Sequence, residues 1–129
     1  MLRAYRADLH IHSILSPCTE PAEMSPRAIV RRSLEAGLQV IAVCDHNSCE
    51  NFPALHKAAQ DAGLTALAGM EITTREEIHI LGLFETEAHA LEVQGLCMST
   101  SPAGTMKKPS AARSWSMNTR RLCPLMKNC

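Results

Sequence analysis

No stretch of this chain approaches the roughly 18 consecutive apolar residues that a membrane-spanning helix needs. The opening "MLRAYRADLHIHS" also lacks a long apolar segment ahead of a small-residue cleavage site, the mark of an export signal. A cytoplasmic protein without membrane attachment is expected. Absent too are G-x-x-x-x-G-K-[ST] and G-x-G-x-x-G, which removes the commonest nucleotide-cradling loops. Six cysteines are present, but without an export signal they are expected to be reduced thiols: Cys44 ends an apolar run, and Cys18 and Cys49 follow motif-like stretches. A last absence is local: residues 97–129 contain no Asp, Glu or His.

That absence divides the chain. Its 129 residues and 46% hydrophobic content suit one soluble domain, and its formal net charge is zero. Residues 1–96, however, hold 7 Lys+Arg against 13 Asp+Glu, a net of −6, while residues 97–129 hold 6 Lys+Arg and no acid. The second part has no sustained hydrophobic period and is rich in Ser, Pro and basic residues, so an irregular or disordered tail is expected. It also carries four of the seven Met, three of the six Cys and the only Trp. A basic arm that contacts nucleic acid or acidic partners is one reading. A stretch read out of frame from about residue 97 is the other, and it is preferred because a solvated arm has no need of Met, Cys and Trp.

Before residue 97, short apolar runs alternate with helix-like stretches, the pattern of βα units and a mainly parallel sheet. The first strand is expected over about Tyr5 to Ile11. Ser25 as N-cap and Pro26 at the first helical position open a helix with Ile29, Val30 and Leu34 on one side, and Gly37 closes it. "LQVIAVCD" reads as a central strand buried on both faces. A second helix is expected from about Ser48 to Ala62, with Leu55, Ala58 and Ala59 at helical spacing and Gly63 after it. "LTALAGME" and "IHILGLF" are two more strands, and the short "TTREE" between them allows a hairpin but not a crossover helix. A last helix covers about Glu87 to Leu96.

Four polar clusters fall where strands should end: "DLHIHS", "CDHNS", "GMEIT" and "EIHILG". On a strand, His10 and His12 share a face, which suits a common metal ion. In parallel α/β architectures ligands gather at strand C-termini, so the four clusters should meet in space. Singly, each has an ordinary explanation: a surface histidine pair, a helix cap at Asp45-His46-Asn47, a solvated Glu71, a half-buried His79. Four at successive strand ends fit those explanations poorly. Imidazoles with a carboxylate suit Zn, Mn or Fe, and Glu71 has two oxygens with which to bridge two ions. A two-metal site activates water and steadies displacement at phosphorus. His56 and His89, in helices away from strand ends, are expected at the surface.

"DLHIHSILSPC", "IAVCDHN", "GMEITT" and "EIHILGLF", in this order and spacing, resemble the N-terminal half of the polymerase and histidinol phosphatase (PHP) domain family over about residues 4–96. The resemblance implies about the first half of a distorted (β/α)7 barrel, and phosphoester hydrolysis with up to three metal ions. It assigns His10, His12, His46, Glu71 and His79 to metal binding and makes His46 and Glu71 the candidate catalytic residues. Asp8 and Asp45 are expected to orient imidazoles, and His46 to stand somewhat apart. Cys18 occupies a place where many members carry Asp or His, and a buried thiol is preferred there to a ligand. The family completes its site with a later histidine and a D-x-H motif, neither of which residues 97–129 can supply.

A truncated PHP-type phosphoesterase with impaired activity is therefore expected, acting on a phosphomonoester, a nucleotide or a DNA end. Half a barrel with exposed sheet edges should self-associate. Two alternatives stay open: a non-catalytic PHP-like module whose basic tail contacts nucleic acid, and an amidohydrolase. The amidohydrolase pattern also begins with H-x-H but has no place for Asp45-His46-Asn47 or Gly69-Met70-Glu71.

Overall fold

The computed structural model describes residues 2–16, 19 and 23–100. The expectations for the tail beyond residue 100 and for Cys18 lie outside these residues. Strands β1 (Ala7–Ile11), β2 (Val40–Val43), β3 (Thr65–Thr73) and β4 (His79–Phe84) form one sheet in the order β1-β2-β3-β4. Helix α1 (Pro26–Glu35) joins β1 to β2, α2 (Phe52–Asp61) joins β2 to β3, and α3 (Glu87–Thr100) follows β4. The first two pairings are parallel and the third is antiparallel. Thr74 to Ile78 close the hairpin, since so short a link cannot carry a helix back across the sheet.

Helix α1 starts as its sequence dictates: the Ser25 hydroxyl accepts from Ala28 N at 3.4 Å, and Pro26 opens the first turn. Gly37 follows its end at φ +70°, a conformation that glycine adopts without Cβ strain. The buried face differs from expectation at one position. Ser33 is buried beside Ile29 and Val30, while Leu34 is 44% exposed. The Ser33 hydroxyl donates to Ile29 O at 2.8 Å, so it enters the core with its hydrogen bond made. Helix α2 begins four residues later than its pattern suggests. Residues 44–51 instead form a turn with isolated bridges Asp45↔Ser48 and His46↔Glu71.

All three helices share one face of the sheet. Ile41 and Val43 of β2 pack with Ile29 and Val30 of α1, Leu55 and Ala59 of α2, and Ile11 and Leu64. Ala68 of β3 packs with Cys49, Phe52 and Ala90 of α3, and Ala66 touches both clusters. Strand alternation puts Gly69, Glu71 and Thr73 of β3 on the opposite face, with their antiparallel partners Leu83, Leu81 and His79. His79 and Glu71 thus belong to one surface, at the end of the sheet where β1 and β2 also finish.

Candidate metal centre

β1 ends in His10 and His12, whose ring centroids lie 5.0 Å apart, as the i, i+2 spacing predicts. β2 ends in Cys44-Asp45, and the chain then turns sharply through Asn47, which has φ +51°. Asn47 is pinned on both sides: its N–H donates to Glu71 O at 2.9 Å, and its side-chain oxygen accepts from Thr73 N at 2.9 Å. This turn carries His46 inward, against the expectation that it stands apart. The centroids of His12 and His46 are 4.8 Å apart and those of His46 and His79 are 5.2 Å apart. Four imidazoles from two strand ends and one turn therefore ring the Glu71 carboxylate of β3.

The distances around that carboxylate are unequal in kind. His79 Nδ1 lies 2.7 Å from Glu71 Oε1, a hydrogen bond. Oε2 faces His12 Nε2 at 3.0 Å, His46 Nδ1 at 3.3 Å and His10 Nε2 at 3.4 Å. It is nevertheless buried without a hydrogen-bond partner. A buried carboxylate oxygen left unpaired is costly, and such atoms call for an explanation. Donor atoms held by one tetrahedral zinc at about 2.0–2.1 Å stand roughly 3.3 Å from one another. The 3.4 Å and 3.0 Å from His10 Nε2 and His12 Nε2 to Glu71 Oε2 fit that requirement. Ligand atoms of His10, His12 and Glu71 form one group within 4.8 Å, and those of His46, Glu71 and His79 form a second that shares the carboxylate. The residues present fit divalent ions, and Glu71 is common to both groups that would hold them.

Electrostatics point the same way. Burial pushes the His12 pKa down, and the neighbouring His46 pushes it further, so His12 holds its neutral, ligating form. Burial alone would raise Glu71, but His79, His46, His10 and His12 outweigh it and keep the carboxyl below its ordinary range. The Cys44 thiol, buried beside Asp45 and Glu71, is pushed up to about 12, which keeps it protonated at neutral pH.

Asp8 does not orient a ring. Its carboxylate accepts from the backbone N–H of His10 at 3.2 Å, so it supports the strand end rather than an imidazole. Asp45 contacts no ring directly either. It is buried and accepts from Ser13 N at 2.7 Å, from Ser13 Oγ, and from Ser16 Oγ at 2.7 Å, and Ser16 Oγ in turn meets His12 Nδ1 at 2.9 Å. Asn51 precedes α2 yet does not cap it; its Nδ2 donates to Ser13 Oγ at 2.6 Å. Ser13, Ser16 and Asn51 were not legible as site residues, although the hydroxyls at one and four positions after His12 were a usable signal. Gln94 of α3 is a further addition: its side-chain oxygen accepts from Cys49 N at 2.8 Å and fixes the turn that bears His46. His56 and His89 are exposed and distant in role, His56 stacking on Phe52.

The chain shares 35% identity over 85 residues with a 5'-3' exoribonuclease of Haemophilus influenzae, an alignment covering 64% of this chain and 30% of that protein. It is 39% identical over 67 residues to a PolC-type DNA polymerase III of Lacticaseibacillus paracasei, covering 52% of this chain and 4% of the polymerase. A crystal structure from Bifidobacterium adolescentis, assigned as a metal-dependent phosphoesterase, superposes with a TM-score of 0.56 at 26% identity, over 73% of this chain and 33% of that one. The chain thus spans a third or less of these relatives, and its sheet and helices correspond to a half-barrel of mixed α/β type. The family model for the PHP domain matches residues 8–121, running past Leu96 where the legible motifs stop. With the H-x-H, D-H-N and G-x-E residues gathered at one sheet end and a family match over most of its length, this chain belongs to the PHP domain family.

Proposed function

We propose that the chain carries the N-terminal part of a PHP-type phosphoesterase centre. In this reading His10, His12, His46, Glu71 and His79 hold divalent ions, with Zn, Mn or Fe suited to the N/O donor set. The observation that carries the reading is Glu71 Oε2, buried, unpaired and faced by three imidazole nitrogens within 3.4 Å. Bound metal would lower the pKa of a coordinated water and neutralise charge on a phosphoryl oxygen. Glu71 belongs to both groups of candidate ligands, and the His10, His46 and His79 side chains are partly exposed, so a phosphoester can reach the ring from solvent. The substrate class is a phosphomonoester, a nucleotide or a nucleic-acid end; the names of the exoribonuclease and polymerase relatives support the last of these.

The chain on its own is proposed to hold metal weakly and to turn over slowly. Its five ligand candidates leave coordination positions to water, and no His, Asp or Glu follows in residues 97–129. Self-association through uncovered sheet surface belongs to the same reading. The test is metal content by mass spectrometry and hydrolysis of a generic phosphomonoester after loading with Mn or Zn, beside the double variant His10→Ala, His12→Ala. Sub-stoichiometric metal and slow turnover, both lost in the variant, are expected. Metal retention by the double variant equal to that of the parent would sink the reading.

A further inference from the structure

We infer that Ser16 is a positioning residue that sets the tautomer of His12. Three atoms stand in a row: His12 Nδ1, Ser16 Oγ at 2.9 Å, and Asp45 Oδ1 at 2.7 Å from that hydroxyl. Two hydrogen bonds require two protons. A carboxylate has none to give, and the serine hydroxyl has one. Asp45 already takes protons from Ser13 N and Ser13 Oγ, which confirms it as the acceptor at the end of the row. The Ser16 hydroxyl therefore donates to Asp45, and the second proton must come from His12 Nδ1. A neutral imidazole with its proton on Nδ1 has its lone pair on Nε2. That nitrogen is the one 3.0 Å from Glu71 Oε2.

The other bonds of the network run in the same sense. Asn51 Nδ2 donates to Ser13 Oγ, which donates to Asp45, so the donors on both sides of the carboxylate point toward it, as the Ser16 hydroxyl does. Ser13, Ser16 and Asp45 are all buried, which shields the row from competing water. A metal-ligating histidine usually gives its second N–H straight to a carboxylate or carbonyl. Here a hydroxyl is interposed, and Asp45 acts on His12 through it. The role of Ser16 as an aid to metal binding rests on the proposed metal centre; the tautomer does not.

The experiment uses the full chain labelled with 15N. Long-range 1H–15N correlation on metal-free protein above pH 7 is expected to show His12 with its proton on Nδ1, against the Nε2–H form that predominates for free histidine. In Ser16→Ala the His12 pattern should move toward Nε2–H and zinc affinity should fall about 10 to 100-fold, and Ser16→Thr should restore both. An Nε2–H form in the parent chain overturns the inference, as does a Ser16→Ala variant with unchanged tautomer. The parent measurement stands even if the alanine variant fails to fold. An Nδ1–H form in a chain that binds no zinc would leave this inference standing and remove the metal centre instead.

Discussion

At the scale of single residues, the site sets a buried His12 held toward its neutral form against an ionised Glu71. Burial and His46 lower the His12 pKa, so the folded chain takes up that proton less readily than the unfolded chain, whose histidine titrates near 6.5. Stability from this group is present above about pH 6.5 and is lost as the pH falls below it. Glu71, held below its ordinary 4.5, adds a second loss further into acid, again in the direction of destabilisation on acidification. Denaturation midpoints in urea, followed from pH 8 to pH 4 on metal-free chain, should fall in that order, and His12→Asn should flatten the upper part of the curve. A midpoint that rises between pH 7 and 5.5 would contradict this account. Cys44 offers a separate check. With its pKa near 12, about one thiol in 10⁴ is ionised at pH 8, and the side chain is fully buried. Native protein treated with iodoacetamide at that pH should show Cys44 unmodified by peptide mapping and alkylated only after unfolding.

At the scale of elements, the strands were the most legible part because β1, β2 and β3 each lead from an apolar run into a polar cluster, and antiparallel β4 opens with one at His79. The Ser25-Pro26 start and Gly37 stop of α1 were equally plain, since each satisfies a backbone requirement that few residues meet. Two features were not. Leu34 was read as core and Ser33 was not, because hydrophobicity cannot register a hydroxyl whose bond to Ile29 O is made within its own helix. The inward position of His46 depends on Asn47 at positive φ and on its two bonds to β3, a tertiary arrangement with no trace in hydrophobic period. Asn in that conformation is common, so the D-H-N run held a hint of the turn without its direction. The close approach of β2 and β3 gives a test at this scale. A Cβ on Gly69 would overlap Cys44 Sγ and stand 2.9 Å from Val43 O, while Glu71 lies two residues on along the same face. Gly69→Ala is expected to destabilise the chain by about 1–3 kcal/mol and to weaken metal binding by displacing Glu71. Unchanged thermal stability together with unchanged metal content would show that β2 and β3 part without disturbing the site.

At the scale of the whole molecule, the three helices cover one face of the sheet, and among the described residues none covers the other. The site occupies the end of the uncovered face, and the rest of it carries Leu81 and Leu83, both exposed. β4 is also the last strand of the sheet among the described residues, with Ile78 and Ile80 exposed beside its free edge. An open edge next to exposed aliphatic side chains is a template for pairing with another chain. Edge strands are normally blunted by charge, proline or a bulge, yet "HILGLF" contains no Asp, Glu, Lys, Arg or Pro. The formal net charge of zero at pH 7 gives little long-range repulsion to oppose contact. Purified chain near neutral pH should therefore form oligomers whose mass in light scattering grows with concentration. The double variant Ile80→Lys, Leu83→Lys places one charge on each face of β4, close to the edge but away from Glu71, and should return the chain toward monomer while the His12 and Glu71 contacts persist. A parent chain that stays monodisperse and monomeric across a wide concentration range, with a single cooperative thermal transition, would contradict this account of the exposed face and edge.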